Sequence, residues 1–144
     1  MKHQKFIFKL VLLFLLICNV KSVLSQEEGL LNKTKSQIKL TETKQLYLQG
    51  NIKTALLNYK EIIALNPSIP KAHFGISRCY YKLHDYKKAK YHAEIAEKNN
   101  PKVDEDLYYL LGEIYFRLEK LKKSKTSYEK FVSEIKSKQK IKDY

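Results

Sequence analysis

Apolar side chains recur every three or four residues through most of the chain, which is the spacing of one face of an α-helix. The stretch from Gly50 to Pro67, GNIKTALLNYKEIIALNP, shows this pattern between a turn and a proline. Glycine permits the backbone of a tight turn, and proline lacks the N–H that a continuing helix needs. The stretch therefore predicts a turn followed by an amphipathic helix. Only 4 glycines and 3 prolines occur among 144 residues, which favours long helices over short strands.

Nearly the same stretch returns 34 residues later, from His84 to Pro101. In this alignment Ala55 corresponds to Ala89. A third copy, Leu118–Val132, fits when one residue is inserted near Asp104. A fixed period of about 20–50 residues is typical of repeat proteins, in which successive units stack on one another.

A second amphipathic stretch precedes each later copy, over residues 71–86 and 106–121. Each unit is therefore predicted to be a helix, a tight turn and a second helix. The units cover approximately residues 36–69, 70–103 and 105–138. Small side chains recur where two neighbouring helices must approach closely, because bulky side chains would push the helix axes apart. These small residues are Ser77, Gly112, Ala55, Ala89, Ala96 and Ser124.

The pattern resembles the tetratricopeptide repeat. In the first unit the matching residues are Ala55, Tyr59, Ile62 and Pro67. In the second they are His73, Ile76, Ser77, Tyr80, Ala89, Ala93, Ala96 and Pro101. In the third they are Tyr108, Leu111, Gly112, Tyr115, Ser124 and Tyr128. The resemblance covers about residues 36–137 and implies an all-α fold, a right-handed α-α superhelix whose first helices line a concave groove.

Two departures from the family pattern concern the ends of the stack. The first unit has Lys39, Glu42 and Thr43 where the family has apolar groups, which an end helix with one solvent-facing side tolerates. The third unit has Lys136 in place of proline. We therefore expect its last helix to continue into residues 138–144, a basic C-terminal tail.

The resemblance also implies which residues face the groove. They are Leu40, Lys44, Tyr47, Lys71, Phe74, Arg78, Tyr81, Tyr109, Glu113, Phe116 and Arg117. Aromatic rings and arginine side chains are common anchors of binding surfaces. The set predicts a non-enzymatic interaction module that binds a peptide segment or a partner protein. The alternative for the aromatic residues is that they pack between units.

The family's best-known binding mode clamps a C-terminal carboxylate with lysine, asparagine and arginine side chains. The corresponding places hold Leu40, Lys44, Gly75, Asp106 and Leu110. Because only Lys44 is basic, the sequence predicts against this mode.

Residues 1–25 have the pattern of a secretory signal, with lysines followed by an apolar run from Leu10 to Ile17 and a more polar end. The run has 8 residues, whereas a membrane span needs about 20, so an uncleaved anchor is the less favoured alternative. A lipoprotein acylated at Cys18 is a further alternative. Residues 26–35 are polar and aperiodic and predict a linker. We expect an exported protein that is periplasmic, envelope-associated or secreted, and a structural role in an envelope assembly is the alternative to peptide binding.

The net charge of +13 admits nucleic acid, anionic lipid or an acidic protein surface as partners. Without residues 1–25 there remain 24 bases and 15 acids, a charge of +9. The basic residues are spread out rather than clustered, and repeats that read RNA need many units, so RNA binding is less favoured.

Nothing in the sequence indicates catalysis. There is no glycine-rich phosphate loop, nucleophile elbow or metal-ligand spacing. His84 lies at a predicted turn, and Cys79 lies within an apolar helix pattern, where a cysteine is usually a small buried hydrophobe. We therefore expect no enzyme activity, cofactor, metal ion or small-molecule substrate.

Overall fold

The computed structural model describes residues 26, 27 and 29–142, and it divides into two compact units, Met1–Gln37 and Ile38–Tyr144. The predicted signal segment lies outside the described residues. In the first unit, residues 26–27 and 29–35 are helical, although the sequence predicts a linker there. The helix forms because no glycine or proline interrupts residues 30–49, and the Thr34 hydroxyl donates to the Leu30 carbonyl one turn earlier, at 3.0 Å.

The part of the chain that the structure describes holds six helices and no strand, which confirms the all-α prediction. The helices are α1 (residues 29–48), α2 (Ile52–Leu65), α3 (Pro70–Lys82), α4 (Tyr86–Asn99), α5 (Leu107–Arg117) and α6 (Leu121–Lys142). The division between the two units falls within α1, and the residues from Ile38 onwards form the second unit. There, α3 packs against α4 and α5 against α6, while α2 packs on α3 and α4 on α5.

Consecutive helices form the pairs α1–α2, α3–α4 and α5–α6, and the same turn closes each pair. The backbone φ is positive at the equivalent residue of each turn, at 83° for Gly50, 62° for His84 and 57° for Glu119. The next residue in each turn donates its N–H to the carbonyl five residues earlier, at 3.0, 3.0 and 2.8 Å. This is the left-handed closure that commonly ends a helix. Glycine adopts it without strain, whereas His84 and Glu119 do not.

Individual residues at the helix ends explain where the helices begin and end. Pro70 is the first residue of α3, where its missing N–H is not needed. The Asp85 carboxylate accepts the Lys88 N–H at 3.2 Å and so caps the start of α4. The side chains of Asn66 and Asn100 accept N–H groups two residues later, at 3.2 and 2.9 Å, which turns the chain after α2 and α4.

Small residues bring the helices of a pair together as predicted. The buried Ser77 hydroxyl of α3 donates to the Ala89 carbonyl of α4, at 2.8 Å. In the next pair the direction is reversed, because the buried Ser124 hydroxyl of α6 donates to the Gly112 carbonyl of α5, at 2.9 Å. Both bonds require the helix backbones to be close, and they satisfy hydroxyl groups that water cannot reach.

The second unit has two hydrophobic clusters. One lies among α1, α2 and α3 and includes Leu40, Ala55, Tyr59, Ile62, Ala72, Ile76 and Cys79. The other lies among α3, α4 and α5 and includes Phe74, Ala89, Ala93, Ala96, Leu107, Leu111 and Ile114. Thr43, on α1, is fully buried, and its hydroxyl donates to the Lys39 carbonyl at 2.6 Å, so a polar residue at a family apolar position is accommodated.

Candidate functional site

The residues predicted to face a groove lie on α1, α3 and α5, the first helices of the three pairs. Within this surface, Arg78 of α3 contacts α1. Its guanidinium carbon lies 4.4 Å from the centroid of the Tyr47 ring and 5.6 Å from that of Phe74. Stacking on the aromatic faces holds the guanidinium plane while leaving its N–H edge for other partners.

Glu113 of α5 joins three helices at the other end of the surface. Its two carboxylate oxygens accept the Tyr81 hydroxyl of α3 at 2.7 Å and the Tyr128 hydroxyl of α6 at 2.6 Å. The Tyr128 and Tyr81 hydroxyls lower the pKa of Glu113, because both donate to its charged form. Burial and the same hydrogen bond raise the pKa of Tyr128. The carboxylate therefore stays ionised and fixes two tyrosine rings.

Two of the predicted groove residues need correction. Leu40 is 7% exposed and Phe74 is 4% exposed, and each belongs to one of the two hydrophobic clusters. The reason is that neighbouring helices close over both positions, and Arg78 also lies against the Phe74 ring. Both are therefore core residues that stabilise the stack, and we remove them from the candidate surface. For Phe74 the alternative of packing between units is the one the structure supports.

The aromatic residues near the C-terminal end of this surface remain accessible. Tyr109 is 47% exposed and Phe116 is 55% exposed. The Tyr109 ring rests against Tyr128 and Phe131, with centroids 5.9 and 5.5 Å apart, so its orientation is fixed although one side is open. Rigid, half-open aromatic rings lose little entropy when a ligand covers them.

The surface is positively charged. Its cations are Lys44, Lys71, Arg78 and Arg117 of the predicted groove residues, together with Lys82 at the end of α3, and none of the ion pairs formed among the described residues includes any of them. The acidic residues on the same helices from Ile38 onwards are Glu42 and Glu113, with Asp106 at the N-cap of α5, and the two tyrosines already occupy Glu113. The interaction with the Tyr81 hydroxyl, and after it those with Tyr86 and the Glu113 carboxylate, raise the pKa of the Arg117 guanidinium. The surface is therefore suited to a negatively charged ligand.

Sequence reasoning missed a pair of histidines between α3 and α4. His73 Nδ1 lies 3.0 Å from His92 Nδ1, and His73 Nε2 lies 2.8 Å from the Pro67 carbonyl oxygen. Because a carbonyl only accepts, His73 donates from Nε2 and accepts at Nδ1 from His92. Burial, and after it the neighbouring His73 and Lys60, lower the pKa of His92 to about 4. The only signal in the sequence is that both histidines occupy positions of the apolar pattern.

This histidine pair does not form a metal centre. Within the described residues there is no group of three or more histidine, cysteine or carboxylate side chains that could hold a metal ion. Burial raises the pKa of the Cys79 thiol to about 12, and the residue is fully buried, so its role in the described structure is packing. Across the same residues, no helix combines the length and apolarity that a membrane span requires.

Several solved structures share the fold. The crystal structure of YrrB, a TPR protein with an unusual peptide-binding site, is 25% identical over 66% of this chain and 48% of that one, with a TM-score of 0.62. This chain therefore spans about half the length of YrrB.

Two further neighbours are domains of Spaghetti (RPAP3) bound to the HSP90 peptide SRMEEVD. The first TPR is 21% identical, with a TM-score of 0.64, and the alignment covers 69% of this chain and 79% of that one. The second TPR is 18% identical, with a TM-score of 0.66, and the alignment covers 73% of this chain and 96% of that one. These neighbours confirm the predicted helical-repeat solenoid.

A search of curated protein sequences gave no significant match. The sequence profile described as the second ARM domain of Tetratricopeptide repeat protein 21 matches residues 2–141, nearly the whole chain and including the predicted signal segment. The protein therefore belongs to this family of helical-repeat domains.

Proposed function

We propose that this protein is a non-enzymatic interaction module that binds an acidic peptide segment of a partner protein across α1, α3 and α5. The observation that carries the proposal is a set of five cations that form no ion pair with another described residue, beside two exposed aromatic rings. Charge-assisted hydrogen bonds to carboxylates are stronger than neutral ones, and aromatic and arginine side chains dominate binding energy.

The geometry suggests how such a segment would lie. Acidic side chains would meet Lys44, Lys71 and Arg78, and an apolar side chain would cover Tyr109 and Phe116. Arg78 is well placed for a carboxylate because the Tyr47 ring already orients its guanidinium. The fold likeness to a TPR protein with an unusual peptide-binding site is consistent with this proposal.

The proposal is tested with a peptide selected from a random displayed library against residues 26–144. Its affinity is then measured by isothermal titration for wild type and for Lys44→Glu/Lys71→Glu. Both lysines are exposed and make no ion pair with another described residue, so the fold should be retained. We expect the affinity to fall about tenfold or more, because two attractive charges become repulsive.

The matched control is Lys53→Glu/Lys98→Glu, which makes the same change in net charge on exposed lysines of α2 and α4. It should bind the selected peptide as wild type does. Circular dichroism of both variants checks the fold. If the two double variants bind the peptide equally well, the peptide does not lie across α1 and α3 and the proposal is wrong.

We also propose that the protein is exported, with residues 1–25 as the signal. The support is the order of basic, apolar and polar segments in the sequence. N-terminal sequencing of the protein from a cell fraction tests this. A mature chain that starts at Gln26 outside the cytoplasm is expected, whereas an intact chain found only in the cytoplasm would refute it. Extraction of the exported protein by salt would indicate attachment to an envelope assembly.

A further inference from the structure

A hollow of about 530 Å³ lies on the last helix pair, α5–α6. Its walls are largely apolar and open to solvent, since Phe116 is 55% exposed, Leu121 63% and Val132 46%. The lining residues are Phe116, Leu121, Ser124, Lys125, Tyr128, Glu129 and Val132. Exposed apolar patches of this kind on a soluble domain commonly mark interaction sites.

The same face of the preceding pair, α3–α4, is covered by the next helices. The equivalent residues lie 35 positions earlier in the sequence, so that Tyr81 corresponds to Phe116 and Glu94 to Glu129. Tyr81 donates to Glu113 of α5 at 2.7 Å, and Glu94 accepts the hydroxyl of Tyr115 of α5 at 2.9 Å. The α3–α4 face is therefore an established interface whose occupant is α5.

The equivalent side chains are less exposed to solvent on the α3–α4 face than on the α5–α6 face. Glu97, which corresponds to Val132, is partly buried and accepts a hydrogen bond from the Lys130 ammonium group of α6 at 3.1 Å. On the last pair, Glu129 is exposed, and Lys125 is its ion-pair partner at 3.9 Å within its own helix. The face that α5 and α6 cover in one pair is left exposed by the described residues in the next.

The walls of the hollow differ from the α3–α4 face, because α6 carries larger residues than α4 at two equivalent places. Tyr128 and Phe131 replace Ala93 and Ala96. Both rings turn towards their own α5, where Tyr128 packs on Gly112 and Phe131 against Tyr109. The space beyond the rings is left for a residue from outside.

We propose that this hollow is the docking site for one amphipathic helix of a partner protein, with the chemistry of α5. Helix α5 buries an apolar stripe against α4, formed by Leu107, Leu111 and Ile114. Its Tyr115 hydroxyl donates to Glu94 of α4. The partner helix accordingly carries leucine or isoleucine at three- and four-residue spacing and a hydroxyl or cationic donor that reaches Glu129.

Helix α1 of a second copy of this chain does not have this chemistry. The positions of α1 that correspond to Leu107, Leu111 and Ile114 hold Ile38, Glu42 and Gln45. A carboxylate and an amide would then be buried against apolar walls without partners there, which costs free energy. We therefore assign the hollow to a helix of a partner protein rather than to α1 of a second copy.

The test uses a synthetic peptide of residues 103–120, the α5 segment itself, added to the chain of residues 26–144. Isothermal titration should show saturable one-to-one binding. The variant Leu121→Lys/Val132→Lys should weaken it about tenfold or more, because both exposed side chains line the hollow. The control Leu57→Lys/Leu65→Lys changes two similarly exposed leucines of α2 and should bind as wild type does.

Three results would overturn this inference. They are no binding of the peptide to wild type, equal binding by the two double variants, and undiminished binding of a peptide carrying Leu107→Asp/Ile114→Asp. Sedimentation that shows a dimer of the chain, dissociated by Leu121→Lys/Val132→Lys, would assign the hollow to a second copy and also overturn it. Phe116 belongs to both surfaces, and Lys44→Glu/Lys71→Glu separates the two proposals because it should leave the α5 peptide bound.

Discussion

Gly112 sets the distance between α5 and α6. A Cβ atom at this position would lie 2.7 Å from Cε1 of Tyr128, well inside van der Waals contact. The ring cannot easily retreat, because its hydroxyl donates to Glu113 at 2.6 Å. A small residue is thus required here by a specific ring rather than by helix geometry alone.

Gly112→Ala should therefore lower the free energy of unfolding. We expect a loss of about 1–3 kcal/mol, since overpacking forces the ring or the helices to shift. Chemical denaturation monitored by circular dichroism measures it. Gly29→Ala is the control, because a Cβ there meets nothing within 4 Å. An unchanged midpoint for Gly112→Ala would show that the ring moves freely.

Glu119 occupies a turn position with a φ of 57°, which costs a non-glycine residue free energy. Glu119→Gly should raise the free energy of unfolding by about 0.5 kcal/mol, the relief of strain minus the extra entropy of glycine in the unfolded chain. Glu119→Ala removes the same carboxylate but keeps the strain, so it should be no more stable than wild type. Equal stability of the two variants would argue against strain at this turn.

His92 should make stability depend on pH. Its pKa in the folded protein is about 4, below the ordinary 6.5, so the unfolded chain takes up the proton first. Stability is therefore full above pH 6.5 and falls as the pH decreases towards 4. Because the ring is only half-buried and water screens its charge, we expect a loss of about 1–2 kcal/mol rather than the full value.

The measurement is denaturation of wild type and His92→Gln between pH 6.5 and about 5, above the range in which most carboxylates titrate. The variant keeps a donor for His73 but has no titrating ring, so its stability should change less across this range. The substitution Thr54→Ala, at an exposed position of α2 that does not titrate, serves as the control and should retain the wild-type slope. Identical slopes for His92→Gln and wild type would contradict the assignment.

At the scale of the helices, what the sequence predicted well depended on local spacing. Helix period, turn residues and the close approach at Ala89 and Ser124 all follow from residues near one another in the chain. The bond from Tyr128 to Glu113 and the contact of His73 with His92 join residues 15 and 19 positions apart on different helices. Such pairs depend on how each helix is rotated about its axis, which repeat spacing does not determine.

The groove prediction has the same physical limit. Repeat position indicates which residues point to the inner side of the stack, but not which of them a neighbouring helix covers. Phe74 and Leu40 are buried for this reason, whereas Tyr109 and Phe116 stay exposed near the end of the stack. The helical segment in place of the predicted linker at residues 29–35 was missed because its polar composition masked good helix formers.

The residues of α1, α3 and α5, the inner helices, predict weak binding of the peptide SRMEEVD, to which two structural neighbours are bound. Of the five places that the family's carboxylate clamp would use, Leu40 is buried and Lys44 is the only cation. Fluorescence anisotropy with the labelled peptide should show little preference for its free C-terminal carboxylate over the C-terminal amide. A strong preference for the carboxylate would mean that other cations form a clamp.

For the molecule as a whole, the central claim is that the ligand surface consists of the cations on α1, α3 and α5 that form no ion pair with another described residue. The described carboxylates of the outer helices are largely occupied, as in the pairs Lys130–Glu97 and Lys88–Asp85. The field of the inner surface is thus what an approaching acidic segment meets, and binding should weaken with added salt.

The most direct test is a backbone amide NMR titration of residues 26–144 with the peptide selected from the displayed library. The account predicts that shifts concentrate on α1, α3 and α5, around Lys71, Arg78 and Arg117, and decrease in high salt. Shifts confined to α2 and α4, with the inner helices unchanged, would contradict it.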